Sequence, residues 1–315
     1  QYFQTCFDKY DLAGMTQFNT EVSAMTFDDS SNLWSIQSIN NGSEDSEEFN
    51  LVISCVGQLN QPKIPEINGL ESFGGNIFHS ARWPKDDQIT GKKVAVIGSG
   101  ASAFQIVPSI ADQCDELTVF QRSAPWMFPN PDYHRDVEDG KKWLLENLPG
   151  YSRWYRFLLF WPGSDQLLDS LFIDPEWQGG ETSINETNDQ MRQIFTDAML
   201  EQLQDKSLIP KVIPNYPPFG KRMLQDNGAW LQSLQKDNVR IFTDEIQELT
   251  HGGILSNNQL HEFDTIILAT GFKAQEFFTP ICINGGDGFF HDQYGDSPQS
   301  YLGIAFDTLP NFFST

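Results

Sequence analysis

The sequence predicts an α/β protein with two similar three-layer domains, the first incomplete, and a helical insertion in the second. Two observations predict this fold. Residues 92–122 have the pattern of a strand, a glycine-rich turn, a helix and a second strand, as in a βαβ unit. Residues 49–57 and 263–271 share one order: an aromatic residue, a polar residue, a mostly apolar run and a final glycine. Each follows a predicted β-meander, so we interpret them as the closing strands of two similar domains.

The turn after the first of these strands has the form GxGxxA. Between a strand and a helix, this motif is the fingerprint of a dinucleotide-binding, Rossmann-like domain. Gly98 permits the tight turn, Gly100 lets the backbone approach a pyrophosphate, and Ala103 lets helix and strand pack closely. The helix N-terminus offers unpaired N–H groups to the phosphates. The candidate cofactor-binding residues here are Gly98, Ser99, Gly100, Ala101, Ser102 and Ala103.

The end of the second strand favours NADPH over NADH. An NAD site usually has a carboxylate there, which accepts a hydrogen bond from the ribose 2′-hydroxyl, but this chain has Gln121, Arg122 and Ser123. A guanidinium can bind a 2′-phosphate with two hydrogen bonds. The alternative is that Arg122 is a solvated surface residue.

Composition limits the partners of the chain. The net charge of −23 over 315 residues argues against nucleic acid and anionic membranes. The four cysteines have no metal-ligand or CxxC spacing, as expected of reduced thiols in the cytoplasm. No apolar run is long enough to span a membrane. We therefore expect a cytoplasmic protein without a metal, which can form a homodimer.

Other segments connect and extend these domains. We expect residues 1–57 to be mostly β-structure, ending in a buried strand at 49–57, with an acidic patch at 44–48. Residues 61–67 have the composition of an extended, proline-rich linker. The insertion at 125–210 carries apolar and aromatic stripes at helical spacing. We expect these stripes to be core, with an apolar substrate pocket as the alternative.

Residues 73–84 contain the pattern FxGxxxHxxxWP, just before the glycine-rich turn. Its specified positions are Phe73, Gly75, His79, Trp83 and Pro84. With this motif the chain resembles the Baeyer–Villiger monooxygenases, a family of class B flavoprotein monooxygenases that use FAD and NADPH. Relatives that oxygenate nitrogen or sulfur share the first part of the motif but usually lack the Trp-Pro ending.

The resemblance covers nearly the whole chain. Residues 121–126, 217–224 and 269–272 are similar to family segments, and residues 149–156 look most like the 4-hydroxyacetophenone monooxygenase branch. It implies a fragment that lacks the N-terminal FAD glycine loop and the C-terminal end. The domains it implies are a partial FAD domain at 1–62, a linker with the fingerprint at 63–90, an NADPH domain at 91–124 and 211–271, the helical insertion at 125–210, and a return to the FAD domain at 272–315.

The resemblance also implies a reaction and its residues. Enzymes of this family insert one oxygen atom of O2 beside a ketone carbonyl through a C4a-peroxyflavin, giving an ester or lactone. By this resemblance, Arg222 occupies the position of the family's catalytic arginine. A guanidinium suits that role because it can stabilise an anion without protonating it. Lys221 would bind the 2′-phosphate with Arg122; the alternative is a solvated basic pair. His79 would serve domain motion and Trp83 would pack the linker.

The strand that ends at Gly271 supplies the remaining candidates. Thr270 and Gly271 are expected beside the cofactor, and Asp264 is expected near it as another strand-end residue, with plain strand termination as the alternative. Two other functions stay open from the sequence. One is a flavin monooxygenase that oxygenates nitrogen or sulfur, and the other is a truncated, non-catalytic NADPH-binding module.

Overall fold

The computed structural model describes residues 2–86, 88–161, 164–295 and 298–315. The helices are α1 (Tyr2–Lys9), α2 (Ala101–Ile110), α3 (Asp139–Asn147), α4 (Tyr151–Phe160), α5 (Glu186–Glu201), α6 (Ile209–Val212), α7 (Ala229–Leu234) and α8 (Phe290–Tyr294). The strands are β1 (Thr20–Asp28), β2 (Leu33–Asn40), β3 (Ser43–Phe49), β4 (Val52–Ser54), β5 (Asn76–His79), β6 (Lys93–Ile97), β7 (Glu116–Phe120), β8 (Met127–Pro129), β9 (Leu224–Asp226), β10 (Val239–Phe242), β11 (Ile246–Thr250), β12 (Gly253–Ser256), β13 (Gln259–Glu262), β14 (Thr265–Leu268), β15 (Cys282–Asn284) and β16 (Phe312–Ser314).

The chain divides into two compact units. Unit 1 contains residues 1–63 and 272–315, and unit 2 contains residues 64–271. Unit 2 is built on a sheet with strand order β10-β7-β6-β14-β5, in which all neighbours are parallel. The carboxyl ends of its strands therefore lie at one edge, where ligands bind in such sheets. The α/β fold that the sequence predicts is confirmed.

Strand β6 explains why both faces of this sheet are covered. Successive side chains of a strand point to opposite faces. Val94 and Val96 pack in the core that contains buried residues of α2 and α7, whereas Ala95 and Ile97 pack with buried residues of β11 and β12. Unit 2 therefore has three layers: helices, parallel sheet and antiparallel meander.

The meander of unit 2 consists of β11, β12 and β13. Its second turn lies at Asn257 and Asn258, whose φ angles are 50° and 59°. Left-handed conformations at two successive residues are what a two-residue type I′ hairpin turn requires, and asparagine tolerates them well. The turn predicted at these asparagines is confirmed.

Unit 1 contains a sheet of order β15-β1-β2-β3 around an aromatic core. Trp34 is fully buried there, with its ring centroid 5.4 Å from that of Phe27 and 5.6 Å from that of Phe312. Its indole N–H donates a hydrogen bond to the Pro310 carbonyl at 2.7 Å, which satisfies the buried polar group. The acidic segment after the turn at Asn41 is strand β3, an edge strand whose residues are all exposed.

The buried strand expected over residues 49–57 is wrong in length and in burial. Strand β4 has three residues, and the Ile53 side chain is 58% exposed. The reason is its pairing: within the described part of the chain, β4 has a single neighbour, β16. Apolar composition predicts a strand, but a strand becomes buried only where other elements cover its faces.

The helices of the insertion behave in two ways. In α5, Met199 is fully buried in the main core of unit 2, as the sequence predicts. The stripe on α3 and α4 is exposed, so the core expected there is wrong. These helices contact each other, with the Lys141 ammonium 4.2 Å from the ring centroid of Tyr155, and two short helices cannot cover both apolar faces. The exposed members of the stripe are Trp143, Trp154, Phe157, Leu158 and Trp161.

Among the described residues, the structure contains no helix that is long and apolar enough to cross a bilayer.

Candidate dinucleotide-binding site

The glycine-rich turn connects β6 to α2 at the carboxyl edge of the unit 2 sheet. Gly98 has φ +121°, and a Cβ there would lie 2.4 Å from the Ala269 carbonyl oxygen. The Gly98 N–H donates to the Phe120 carbonyl at 2.8 Å, which joins the turn to β7. A side chain is excluded here by conformation and by the close approach of the chain after β14. Gly98 is therefore required by the fold of the turn.

Gly100 differs from Gly98 in its surroundings. It is the N-cap of α2, and a Cβ built there meets no described atom within 4 Å. The space in front of this backbone is open, and the first N–H groups of the ten-residue helix α2 lie behind it. Ala103 is fully buried in the core, while Ala101 and Ser102 are half-buried at the helix start. The turn thus presents backbone to solvent and packs only its small residue inward, as a pyrophosphate cradle must.

Two loops meet beside this turn. The Ser99 hydroxyl donates to the Ser123 carbonyl at 2.8 Å, and the Lys221 ammonium donates to the Ser123 hydroxyl at 2.9 Å. Arg122, the residue before Ser123, is exposed. The structure thus brings Lys221, which is 98 positions from Ser123, to the strand-end segment that carries Arg122. Two cations next to the glycine turn form a local basic site in an acidic chain.

A further pair of residues joins the same two loops. The indole N–H of buried Trp126 donates to the Tyr216 carbonyl at 2.7 Å, and the Tyr216 hydroxyl donates to the Ala124 carbonyl at 3.0 Å. The Lys221 ammonium lies 4.5 Å from the centroid of the Tyr216 ring, within cation–π range. Burial raises the pKa of Tyr216 above its ordinary value, so its hydroxyl stays a donor at neutral pH.

Gln121 directly follows β7, where an NAD site usually has a carboxylate. It is buried, and its amide N–H donates to the Lys211 carbonyl. Its side-chain oxygen is buried without a hydrogen-bond partner among the described residues. No negative charge stands at this position, so the strand end does not repel a 2′-phosphate.

Arg222 is exposed and has no hydrogen bond or ion pair to another described residue. The loop before it is held from two sides. The amide of fully buried Asn188 donates to the Pro218 carbonyl at 3.2 Å, and Phe219, with φ +67°, packs its ring edge-on against Phe195. Lys221 therefore joins the cluster at the glycine turn, whereas the guanidinium of Arg222 faces solvent.

His79 and Trp83 lie at the outer strand of the sheet. The His79 Nδ1 atom accepts from the Ala81 N–H at 3.1 Å, so Nε2 carries the proton and donates to the Gly271 carbonyl at 2.9 Å. Burial lowers the pKa of His79, and this neutral ring is 3% exposed. Trp83 is 43% exposed and packs edge-on against Phe78, with centroids 5.0 Å apart. His79 thus ties β5 to the chain after β14.

The strand-end residues of β14 separate into two groups. Thr270 and Gly271 follow β14 at the carboxyl edge, where the glycine turn lies, and Gly271 has φ +81°. Asp264 precedes β14, and its carboxylate accepts from the Lys93 N–H at 2.8 Å at the start of β6. The expectation that Asp264 lies near the cofactor is wrong, because parallel strands place Asp264 at the opposite edge of the sheet.

Residues 1–143 match the family model described as flavin-binding monooxygenase-like. The chain is 36% identical over 317 residues to an uncharacterised monooxygenase, y4iD, of Sinorhizobium fredii, covering 99% of this chain and 48% of that protein. It is 31% identical over 314 residues to a Baeyer–Villiger monooxygenase of Pseudomonas aeruginosa, covering 99% of this chain and 56% of that protein. The chain thus resembles flavin-binding monooxygenase-like proteins, over residues 1–143 for the family model and over 99% of its length for these two relatives.

A solved structure of the enzyme OTEMO, in complex with FAD and NADP, has the same fold. It is 27% identical in sequence and superimposes with a TM-score of 0.80, over 99% of this chain and 64% of that one. The chain spans about half the length of the first curated relative and less than two thirds of each of these proteins. The shared fold over 99% of the chain agrees with the α/β architecture described above.

Three residues of this candidate dinucleotide-binding site were not predicted from the sequence: Ser123 as the partner of Lys221, Tyr216 beneath Lys221, and Asn188 behind Pro218. The contact between Tyr216 and Lys221 could have been predicted, because the prolines between them favour a turn. Such a turn can place the tyrosine ring under the ammonium group five positions later. No comparable signal marked Asn188, which acts from the insertion.

Proposed function

We propose that the chain is part of a Baeyer–Villiger monooxygenase that uses FAD, NADPH and O2 to convert a ketone into an ester or lactone. One observation carries the proposal beyond the family. The fingerprint histidine, His79, is buried, neutral and hydrogen-bonded to Gly271, at the edge of the sheet that carries the glycine turn. This hydrogen bond to the chain after β14 supports the interpretation that the fingerprint contributes to the candidate dinucleotide site.

The residues present fit NADPH. The open backbone at Gly100 can receive the pyrophosphate, together with the remaining turn residues Gly98, Ser99, Ala101, Ser102 and Ala103, and with Thr270 and Gly271 across the edge. Arg122 and Lys221 would bind the 2′-phosphate, since both are cations at the segment that carries Ser123. Within unit 2, we assign residues 91–124 and 211–271 to the NADPH domain.

We assign residues 1–62 and 272–315 to an FAD domain, with residues 63–90 as the linker. Gly57 follows β4 with φ +67°, and a Cβ there meets no described atom within 4 Å. Gly271 follows β14 in the same way, with φ +81° and open space around it. The equivalence of the two strand ends supports a second nucleotide-binding domain. OTEMO, which superimposes on 99% of this chain, was solved with both FAD and NADP.

The bound flavin would activate oxygen for attack on the ketone, and NADPH would reduce the flavin. The task of the chain is to stabilise negative charge without donating a proton. Arg222 suits this task because a guanidinium keeps its proton at every pH of interest and its side chain is available to a ligand. We propose Arg222 as the catalytic cation, His79 as a conformational residue and Trp83 as linker packing.

We propose aryl ketones as the substrate class, from the likeness of residues 149–156 to the 4-hydroxyacetophenone monooxygenase branch. In the structure this segment is the start of α4, with Gly150 at its N-cap in the left-handed conformation. We also propose a cytoplasmic enzyme that can form a homodimer. A comparison of 4-hydroxyacetophenone with cyclohexanone as substrates tests the finer assignment, and the larger kcat/KM is expected for the aryl ketone.

Arg222→Ala in the full-length protein tests the function. We expect NADPH oxidation to continue while ester formation falls by about 100-fold or more, because a preorganised charge is lost. The readouts are NADPH absorbance and product analysis by gas chromatography. Arg240→Ala is the matched control, since Arg240 is an exposed arginine of unit 2 that contacts Glu116.

Two outcomes would contradict the proposal. An undiminished ester yield in Arg222→Ala would remove the role of the guanidinium. Conversion of a sulfide or an amine, with no oxidation of any ketone, would identify a heteroatom monooxygenase instead.

A further inference from the structure

The Lys221 ammonium contacts residues from two loops that are far apart in sequence, one containing Ser123 and the other Tyr216. Its Nζ atom donates to the Ser123 hydroxyl at 2.9 Å and lies 4.5 Å from the centroid of the Tyr216 ring. Tyr216 is fixed at its side chain and at its backbone, because its hydroxyl donates to the Ala124 carbonyl and its main-chain carbonyl accepts from the Trp126 indole. The platform under Lys221 is therefore rigid, although Lys221 is exposed.

A rigid platform matters for a lysine. Its four-carbon side chain has about 2 kcal/mol of rotamer entropy, which is lost when a ligand orders it. A contact that orders the side chain before the ligand arrives removes part of that cost. The face of an aromatic ring attracts an ammonium without neutralising it, so the charge remains available to an anion.

We propose that Tyr216 is a positioning residue that holds Lys221 ready for the 2′-phosphate and so contributes to the preference for NADPH over NADH. This inference rests on the proposed function, because it concerns the same dinucleotide site. Tyr216 acts through Lys221 and has no role with NADH, which lacks the phosphate. A residue that only stabilised the loop would affect both dinucleotides equally.

The test compares Tyr216→Leu with Tyr216→Phe in the full chain. Dissociation constants for NADPH and NADH are measured by titration calorimetry. In Tyr216→Leu we expect NADPH binding to weaken about three- to tenfold, the range of a partly exposed cation–π contact, with NADH binding changed less than about twofold. Tyr216→Phe keeps the ring and loses the bond to Ala124, so we expect it to retain most of the preference. Tyr133→Leu, at an exposed tyrosine of unit 2, is the control variant.

A double-mutant cycle with Lys221→Gln decides between positioning and general stability. Once the ammonium is gone, Tyr216→Leu should leave the ratio of the two dissociation constants unchanged. The proposal is overturned if Tyr216→Leu weakens NADPH and NADH binding by the same factor. It is also overturned if Tyr216→Leu lowers the ratio of the NADH to the NADPH dissociation constant as much in the Lys221→Gln background as in the parent chain. Retained NADPH preference in Tyr216→Leu would also overturn it.

Arg122→Ala separates this failure from a failure of the proposed function. If Arg122→Ala and Lys221→Gln both weaken NADPH more than NADH while Tyr216→Leu does not, the site binds the 2′-phosphate without help from Tyr216. If neither cation variant changes the preference, the assignment of the site itself is wrong. Amide hydrogen exchange of residues 121–126 and 216–224 confirms that each variant is folded.

Discussion

Strands β4 and β14 have the same sequence pattern and different surroundings. Both are preceded by a β-meander and followed by a glycine with positive φ, +67° at Gly57 and +81° at Gly271. All four residues of β14 are buried between β5 and β6, whereas Ile53 in β4 is 58% exposed beside one neighbour, β16. The pattern thus specifies a strand and its terminal turn, and the burial comes from neighbours that the pattern does not contain.

The largest expected effect tests this contrast in side-chain packing. Ile267→Ala in β14 should lower the free energy of unfolding of unit 2 by about 4 kcal/mol, because Ile267 is fully buried and its loss leaves a cavity. Ile53→Ala in β4 is the matched change and should cost unit 1 less than about 0.5 kcal/mol. Urea unfolding gives the totals, and hydrogen exchange by mass spectrometry assigns them to each unit. Equal losses would mean that Ile53 is covered in the protein in solution.

The second expected effect compares a glycine in crowded surroundings, Gly98 in unit 2, with a glycine in open surroundings, Gly57 in unit 1. Gly98→Ala should destabilise unit 2 by about 3 kcal/mol, because the new Cβ would lie 2.4 Å from the Ala269 carbonyl oxygen at φ +121°. Gly57→Ala meets no described atom within 4 Å, so it should cost only the left-handed conformation of alanine, about 1 kcal/mol. The measurement is again urea unfolding, with NADPH binding as a second readout. A neutral Gly98→Ala would show that the chain after β14 can move away from the turn.

The parts of the fold that could be predicted are those that depend on nearby residues. The turn at Gly98, the small residue Ala103 and the hairpin turn at Asn257 each follow from local conformation. Burial and long-range pairing could not be predicted in this way. The stripe containing Trp154 has helical spacing, yet it is exposed, and the helix that packs on α4 in the described part of the chain is the short α3.

The candidate site shows the same division. The glycine turn and Arg122 could be found from the motif and its spacing. The contact between Lys221 and Ser123 spans 98 positions, and the bond from Tyr216 to Ala124 spans 92, so no local pattern encodes them. Asp264 precedes its strand, whereas ligands bind at the carboxyl ends of parallel strands, so the order of the residues alone could have excluded it.

The smallest expected effect concerns the carbonyls of the two strand-end glycines. The Gly271 carbonyl accepts from buried His79, whereas among the described residues the Gly57 carbonyl accepts a long, exposed bond of 3.5 Å from the Asn60 amide. Burial lowers the pKa of His79 in the folded chain below its unfolded value of about 6.5, so the unfolded chain binds the proton more readily. The neutral ring therefore contributes full stability above about pH 6.5, and that contribution is lost as the pH falls below this value.

His79→Gln should remove this part of the pH dependence, because glutamine does not titrate. Urea unfolding of unit 2 between about pH 7.5 and about pH 5 measures it. The parent chain should lose more stability over this range than the variant, and His134→Gln, at an exposed histidine of the same unit, should behave as the parent does. A steeper fall in His79→Gln than in the parent would mean that the ring is charged in the fold. The Gly271 carbonyl would then accept from an imidazolium, and the difference between the two strand ends would be one of charge as well as of burial.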